Sequence, residues 1–148
     1  MIWIVALARF VSSASLAVMV AVMAVAVDHD RVALVRQGNG PAGGRWSLPV
    51  GAVGFGETLM EAATRVLREE TGLEGVCGAL LDWSEDILPD RHRVVLAFAV
   101  AVISDDGPRA GDNVAEATWV ELYEVATLNL ADGLAEFLHD QGIIATFT

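Results

Sequence analysis

Positive charge is scarce in this chain. Nine basic side chains stand against twenty acidic ones, for a formal net charge of −11 and a pI near 4.4. Such a surface disfavours contact with nucleic-acid backbone and with anionic membrane, so neither is expected as a partner. It suits binding of cations, although acidity alone also reads as a solubility device. Cysteine is scarcer still: Cys77 stands alone. That excludes an internal disulfide and fits a reducing, cytoplasmic compartment. Cys77 lies in an apolar stretch with no histidine close in sequence, and reads as a buried strand residue, not a nucleophile. His29 and His139 show no metal-ligand spacing. Internal repeats, low-complexity tracts and an interdomain linker are all missing.

A long uninterrupted apolar run is missing too. The hydrophobic share is 54% and the mean hydropathy +0.49, with the excess largely before Asp28. Yet Leu16 to Val27, the longest stretch there without charge or serine, falls short of the roughly 20 residues a spanning helix needs. Counting from Phe10 lengthens the stretch but takes in three serines. Arg9 near the start resembles a signal peptide, but no clear cleavage site precedes Asp28, and a cut there would remove a strand. The reading is therefore an apolar extension over residues 1–15, packed on the domain or on a partner subunit, and a single domain over 16–148. Membrane association through the extension is the rival, which fractionation would test.

What is present reads as alternating strands and helices. Residues 16–27 form a core strand, 28–30 a turn and 31–37 a second strand, together a hairpin. Residues 38–44 are a glycine-rich loop, and Trp46 to Val50 a short extended segment. Thr58 to Thr71 is helical, capped by Glu57 or Thr58 and stopped by Gly72. Met60, Ala63 and Leu67 are expected on its core face, and positions 66, 69 and 70 in one patch. Strands are expected over 75–83, 91–103 and 115–121. An acidic loop is expected over 84–90, a polar loop over 104–113, a turn over 122–125 and a terminal helix over 131–141. Residues 91–103 are apolar on both faces, as in a central strand covered by helices.

The most specific stretch is 51–73. A glycine-rich loop leads into Glu57, and a helix then carries Arg65, Glu69 and Glu70 before the Gly72 stop. Adjacent carboxylates near a helix end, facing a loop with little side-chain bulk, suit a divalent cation and a phosphate chain. The plainer reading is a solvated charged helix face; the joint register of loop, helix and stop argues against it.

This stretch resembles the Nudix box of the Nudix hydrolases. That pattern runs Gly, five residues, Glu, seven residues, Arg-Glu-aliphatic, one residue, Glu-Glu, one residue, Gly-aliphatic. Gly51, Glu57, Arg65, Leu67, Glu69, Glu70, Gly72 and Leu73 fall in register, and Val66 stands where the family usually has Glu. Trp46-Ser47-Leu48-Pro49 resembles the usual lead-in, and Glu116 to Val120 the strand after the last active-site loop. The resemblance covers residues 16 to about 140.

The resemblance implies an α/β fold, a Nudix-like sandwich with a mixed sheet between helices. It implies hydrolysis of the pyrophosphate of a nucleoside diphosphate linked to another moiety, with nucleotide sugars, ADP-ribose-like compounds and triphosphates as substrates. Mg2+ or Mn2+ assists by neutralising the diphosphate and activating water. By matching position, Glu69 and Glu70 ligate metal with the backbone of Gly51 (or of Val50), Glu57 supports them, and Arg65 pairs with Glu69. Val66 can neither ligate nor act as base. The base is then sought elsewhere: Glu116 first, with Asp112, Glu85 and Asp86 behind it. Arg36, Arg91, His92 and Arg93 are candidates for phosphate or ribose, and Phe55 and Trp83 for stacking on the base. Pro89, about 16 residues past the box, is a hint of ADP-ribose chemistry within the family. A homodimer is expected from the apolar arm and the family's habits. The alternative function is a Nudix domain that binds nucleotide as a sensor or regulator without turnover.

Overall fold

The computed structural model describes residues 17–38, 44–104 and 106–145. The expected extension over 1–15 and most of the glycine-rich loop lie outside the described residues. β1 (Val18–Val25), β2 (Val27–Asp28), β3 (Arg31–Arg36), β4 (Trp46–Ser47) and β5 (Val50–Ala52) precede helix α1 (Leu59–Thr71). β6 (Glu74–Leu88), β7 (Arg91–Ser104), β8 (Glu116–Glu121), a 3-10 helix (Leu122–Thr127) and α2 (Leu134–Asp140) follow.

One sheet has the order β5-β1-β7-β6. β1 and β7 are parallel and the other pairs antiparallel, so the sheet is mixed. In the smaller sheet β3 pairs β8 along one edge and β2 and β4 along the other. The strand expected over 16–27 is split at Ala26: β1 serves the larger sheet and β2 the smaller. Only two residue pairs of the expected hairpin therefore form, Val27 with Val32 and Asp28 with Arg31. His29 and Asp30 close it with φ of 50° and 62°, the left-handed pair that matches strand twist in a two-residue turn.

β6 runs to Leu88, so the acidic loop expected over 84–90 is mostly strand and the turn is Pro89-Asp90 alone. The polar residues remain in the ladder because each finds a partner across it: Glu85 meets His92, and Asp86 meets Arg91 and Arg93. The segment expected as a turn over 122–125 is the 3-10 helix, and α2 begins at Leu134 after Gly133 at φ 81°.

β7 is covered on both sides, as its apolar faces imply. Phe98 and Val100 join Val22, Ala24, Ala62, Ala63, Val66 and Leu67 in the cluster under α1. On the other face Ala97 packs with Val25, Val32, Leu34, Leu48, Leu134 and Leu138 under α2 and the smaller sheet. Cys77 is buried in the first cluster and desolvation pushes its thiol up, as an inert core residue requires.

α1 is held at both ends. The Thr58 hydroxyl accepts from Glu61 N at 3.1 Å, and the Glu61 carboxylate accepts from Thr58 N at 2.9 Å. Such a reciprocal cap contributes about 1 kcal/mol. Gly72 ends the helix at φ 76°, donating to Arg68 O. The buried face is Ala62, Ala63, Val66 and Leu67, whose full burial stabilises by roughly 2 kcal/mol for each of the two larger side chains. Met60, expected on this face, is 52% exposed. The face is centred between the 62–66 and 63–67 rows, and Met60 lies on its flank.

Candidate active site

The register that buries Val66 also fixes Glu70. Four residues further along, Glu70 falls near the middle of the same helix face, pointing inward at the sheet edge. There its Oε1 accepts from Val50 N at 3.3 Å, on the edge strand β5. Burial pushes its carboxyl up to about 7, the Val50 N–H pulls the other way, and the neighbouring charge of Glu69 adds to the rise. Glu69 lies to one side, largely exposed.

Arg65 ties the loop to the helix. Its Nε and one terminal nitrogen grip both oxygens of Glu57, at 2.7 and 2.9 Å. It also donates to Glu69 at 2.9 Å and to Ala52 O at 2.8 Å. Glu57 in turn accepts from Gly54 N at 3.0 Å. The guanidinium and that N–H hold the Glu57 carboxyl at about 2, and the same pair raises Arg65 further above its ordinary value.

Val66 is 1% exposed and belongs to the core, not to an exposed patch with 69 and 70. Gly51 is small for its sake: a Cβ there would come within 2.8 Å of a Val66 methyl. The loop over 106–115 closes the far end of α1. Arg109 N donates to Thr71 O at 2.8 Å and Gly111 N to Glu70 O at 3.3 Å. The fit is so close that a Cβ on Gly111 would sit 1.8 Å from Glu69 O. Asp112 therefore follows directly on a residue touching the Glu69–Glu70 backbone. Ala115 N donates to Arg36 O, and next to it Arg36 and Glu116 pair across β3 and β8 at 3.3 Å.

The fold thus gathers Gly51, Glu57, Arg65, Glu69, Glu70 and the Asp112 loop around one end of α1. Arg36 and Glu116 are tied to that loop by the Ala115 bond and engage each other. Arg91, His92 and Arg93 lie elsewhere, near the β6–β7 tip, bound to Asp86 and Glu85. Pro89 is in the turn itself. Phe55 is fully exposed.

On the opposite sheet face a cavity of about 410 Å³ opens between the larger sheet, β4 and α2. Its apolar wall includes Met23, Leu48, Val95, Ala97 and Phe137. Trp83 borders it as well, although its pairing with Leu96 turns its side chain toward the α1 face, and Asp82, Asp132, Glu136 and Asp140 add carboxylates. The Ser47 hydroxyl, also in the lining, is buried without a hydrogen-bond partner among the described residues. Met23 pairs with Val50, so only the β1–β5 edge separates this cavity from Glu70. Sequence reasoning passed over these lining residues, apart from Trp83. The lead-in Trp46-Ser47-Leu48-Pro49 was their one local signal.

Residues 17–141 match the NUDIX domain model. The chain belongs to the Nudix hydrolase family. It is 36% identical over 112 residues to the ADP-ribose pyrophosphatase of Methanocaldococcus jannaschii, covering 71% of this chain and 66% of that one. Two solved structures share the fold at 24% identity and a TM-score of 0.71. A MutT protein from Methanosarcina mazei Go1 matches over 84% of this chain and 92% of its own. The NUDIX domain of Shewanella oneidensis NrtR, complexed with ADP ribose, matches over 85% and 86%. Among the described residues of this Nudix chain, no helix is long and apolar enough to cross a membrane.

The family implies a divalent cation. Among the described residues no three His, Cys, Asp or Glu side chains already converge on one point. The donor set at hand is Glu70, desolvated beside the charge of Glu69 and held at β5 by the Val50 N–H. That set fits a hard divalent cation that takes a few protein oxygens and keeps several waters.

Proposed function

We propose that this Nudix chain hydrolyses the pyrophosphate of a nucleoside diphosphate linked to another moiety, with ADP-ribose-like compounds as the preferred class. The observation that carries the reading is Glu70, a half-buried carboxylate given one backbone N–H and placed next to a second carboxylate. Mg2+ or Mn2+ at Glu69 and Glu70 would offset that charge, neutralise the diphosphate and lower the pKa of bound water. Glu57 acts through Arg65, which fixes the loop over Gly51–Gly56 against the helix.

Asp112 is the better placed of the two base candidates near this end of α1, because its loop rests on the Glu69–Glu70 backbone. Glu116 accepts from Arg36, which occupies one of its oxygens. The cavity takes the nucleoside: apolar walls suit a base, and the carboxylates and Ser47 suit its hydrogen-bond donors while repelling phosphate. The substrate class is supported by the named activity of the archaeal relative and by the ADP ribose held by a Nudix domain of the same fold.

A second reading rests on Val66. A buried apolar side chain where the family usually has Glu fits a domain that binds nucleotide without turning it over. One experiment separates them: ADP-ribose, nucleotide sugars and triphosphates are incubated with Mg2+ or Mn2+, and release of nucleoside monophosphate or phosphate is followed. Turnover favours the hydrolase, and binding without turnover across the panel favours the sensor. Glu70→Gln should lower turnover roughly 100-fold. It should also leave the metal-free fold at least as stable, because it removes a buried charge and keeps the acceptor for Val50 N. Activity within about twofold of wild type would reject Glu70 as ligand.

A further inference from the structure

The floor of the cavity continues past its lining. Ser84 and Val95, paired on β6 and β7, belong to the lining. The next two pairs outward on the same face are Asp86 with Arg93 and Leu88 with Arg91. Across β1 the rows read Ala21–Val95–Ser84 and then Met19–Arg93–Asp86, with Ala52 of β5 beside Ala21. Arg93 thus stands one row beyond the cavity floor, about 8 Å from Ala21 between α-carbons. That is within the reach of an arginine side chain.

The charges on this shelf do not cancel. Arg91 and Arg93 both donate to Oδ2 of Asp86, Arg93 at 3.2 Å. One carboxylate therefore serves two partly exposed guanidiniums. Arg36, Arg45, Arg65 and Arg68 each meet a carboxylate of their own. Glu85, next in sequence to Asp86, lies on the opposite face and pairs with His92. Of the Arg93 fork only Nη2 makes a bond, and Nε is buried without a partner among the described residues. The charge along the face changes sign as a result: Asp82, Asp132, Glu136 and Asp140 at the cavity, then surplus arginine one row out.

We propose that Arg93, with Arg91 beside it, binds a phosphate carried on the ribose of the nucleoside, at its 2′ or 3′ oxygen. The favoured substrates are then nucleoside diphosphate compounds that bear this further phosphate. The inference rests on the reading above that the cavity holds the base. With the base there, the ribose lies at the cavity mouth and its 5′ chain leaves over the β5 edge toward Glu70. The secondary hydroxyls are left to face along β7. A phosphate monoester offers three acceptor oxygens, which the two guanidinium forks match bidentately.

Calorimetry on the full, metal-free chain tests this. The ligands are adenosine 5′-monophosphate, adenosine 2′,5′-bisphosphate and adenosine 3′,5′-bisphosphate, none of which has a pyrophosphate to cleave. At least one bisphosphate should bind about tenfold tighter than the monophosphate. Arg93→Gln should bring that ratio to within about twofold of one, and Arg93→Lys, which keeps the charge and loses the fork, should retain part of it. The ratio is taken within each variant, so a general loss of folded protein does not mimic the effect. Equal binding of all three ligands, or a ratio that survives Arg93→Gln, overturns the proposal and leaves the hydrolase reading to the turnover panel. Binding of none of the three overturns both the proposal and the cavity as the nucleoside site.

Discussion

Arg65 does more for the site than any other single side chain described, since it holds Glu57 with two bonds and reaches Glu69 and Ala52 O as well. Its value to the fold depends on Glu57 being charged. The folded Glu57 carboxyl sits at about 2, below its ordinary value of 4.5, so the pair's contribution is fully present above pH 4.5. It is lost as pH falls from there toward 2, because the folded state must then take up the proton that the unfolded chain has already bound. Glu57→Gln should therefore lower the melting temperature at neutral pH, and the gap to wild type should close between about pH 4.5 and 2. Thermal unfolding across that range checks it. A gap that stays constant would mean that the Glu57–Arg65 pair contributes little to stability. The same residue scale explains Val66. Its apolar side chain was legible as a departure, but only the packing against Gly51 shows that it fills core space rather than facing the carboxylates.

At the scale of elements, the docking of the 106–115 loop on α1 is what brings an outside carboxylate to the box. The loop has two backbone bonds to the helix end, each contributing about 1 kcal/mol, and it fits because Gly111 has no side chain. Gly111→Ala places a Cβ against Glu69 O and must lift the loop. The expected result is a loss of about 2 kcal/mol in stability and a fall in kcat larger than the change in KM, with faster amide exchange over 109–114. Unchanged kcat would show that Asp112 has no part in the chemistry. None of this docking was visible in the sequence, where 104–113 reads as an ordinary polar loop. α1 itself was legible from cap to stop, because capping and glycine signals are local. The far end of β6 is not legible for the opposite reason: Ser84, Glu85 and Asp86 look like loop until their partners on β7 are known. The exposure of Met60 is not legible either, because one turn of periodicity does not fix where the sheet lies.

At the scale of the molecule, the mixed sheet divides the labour between its two sides. The carboxylates reach its edge from the α1 side, while the cavity opens on the α2 side, and Met23 paired with Val50 joins them. A nucleoside diphosphate bound as proposed would place its base in the cavity and pass its phosphates around the β5 edge toward Glu70. β1, β4, β6, β7, the segment before α2 and α2 itself all contribute to that cavity, and so wide a scatter left no pattern for the sequence to display. If binding and chemistry are separable in this way, filling the cavity should impair one and spare the other. Ser84 is exposed, lines the cavity and lies outside the carboxylate cluster, so its replacement disturbs little else. Ser84→Trp should raise KM for nucleotide substrates several-fold and leave kcat within about twofold, because saturating substrate still meets an intact site. A diphosphate ester without a base should be cleaved by the variant as by wild type. Should both KM values stay the same, the base does not enter this cavity; should kcat collapse for both substrates, the two sides of the sheet are not independent.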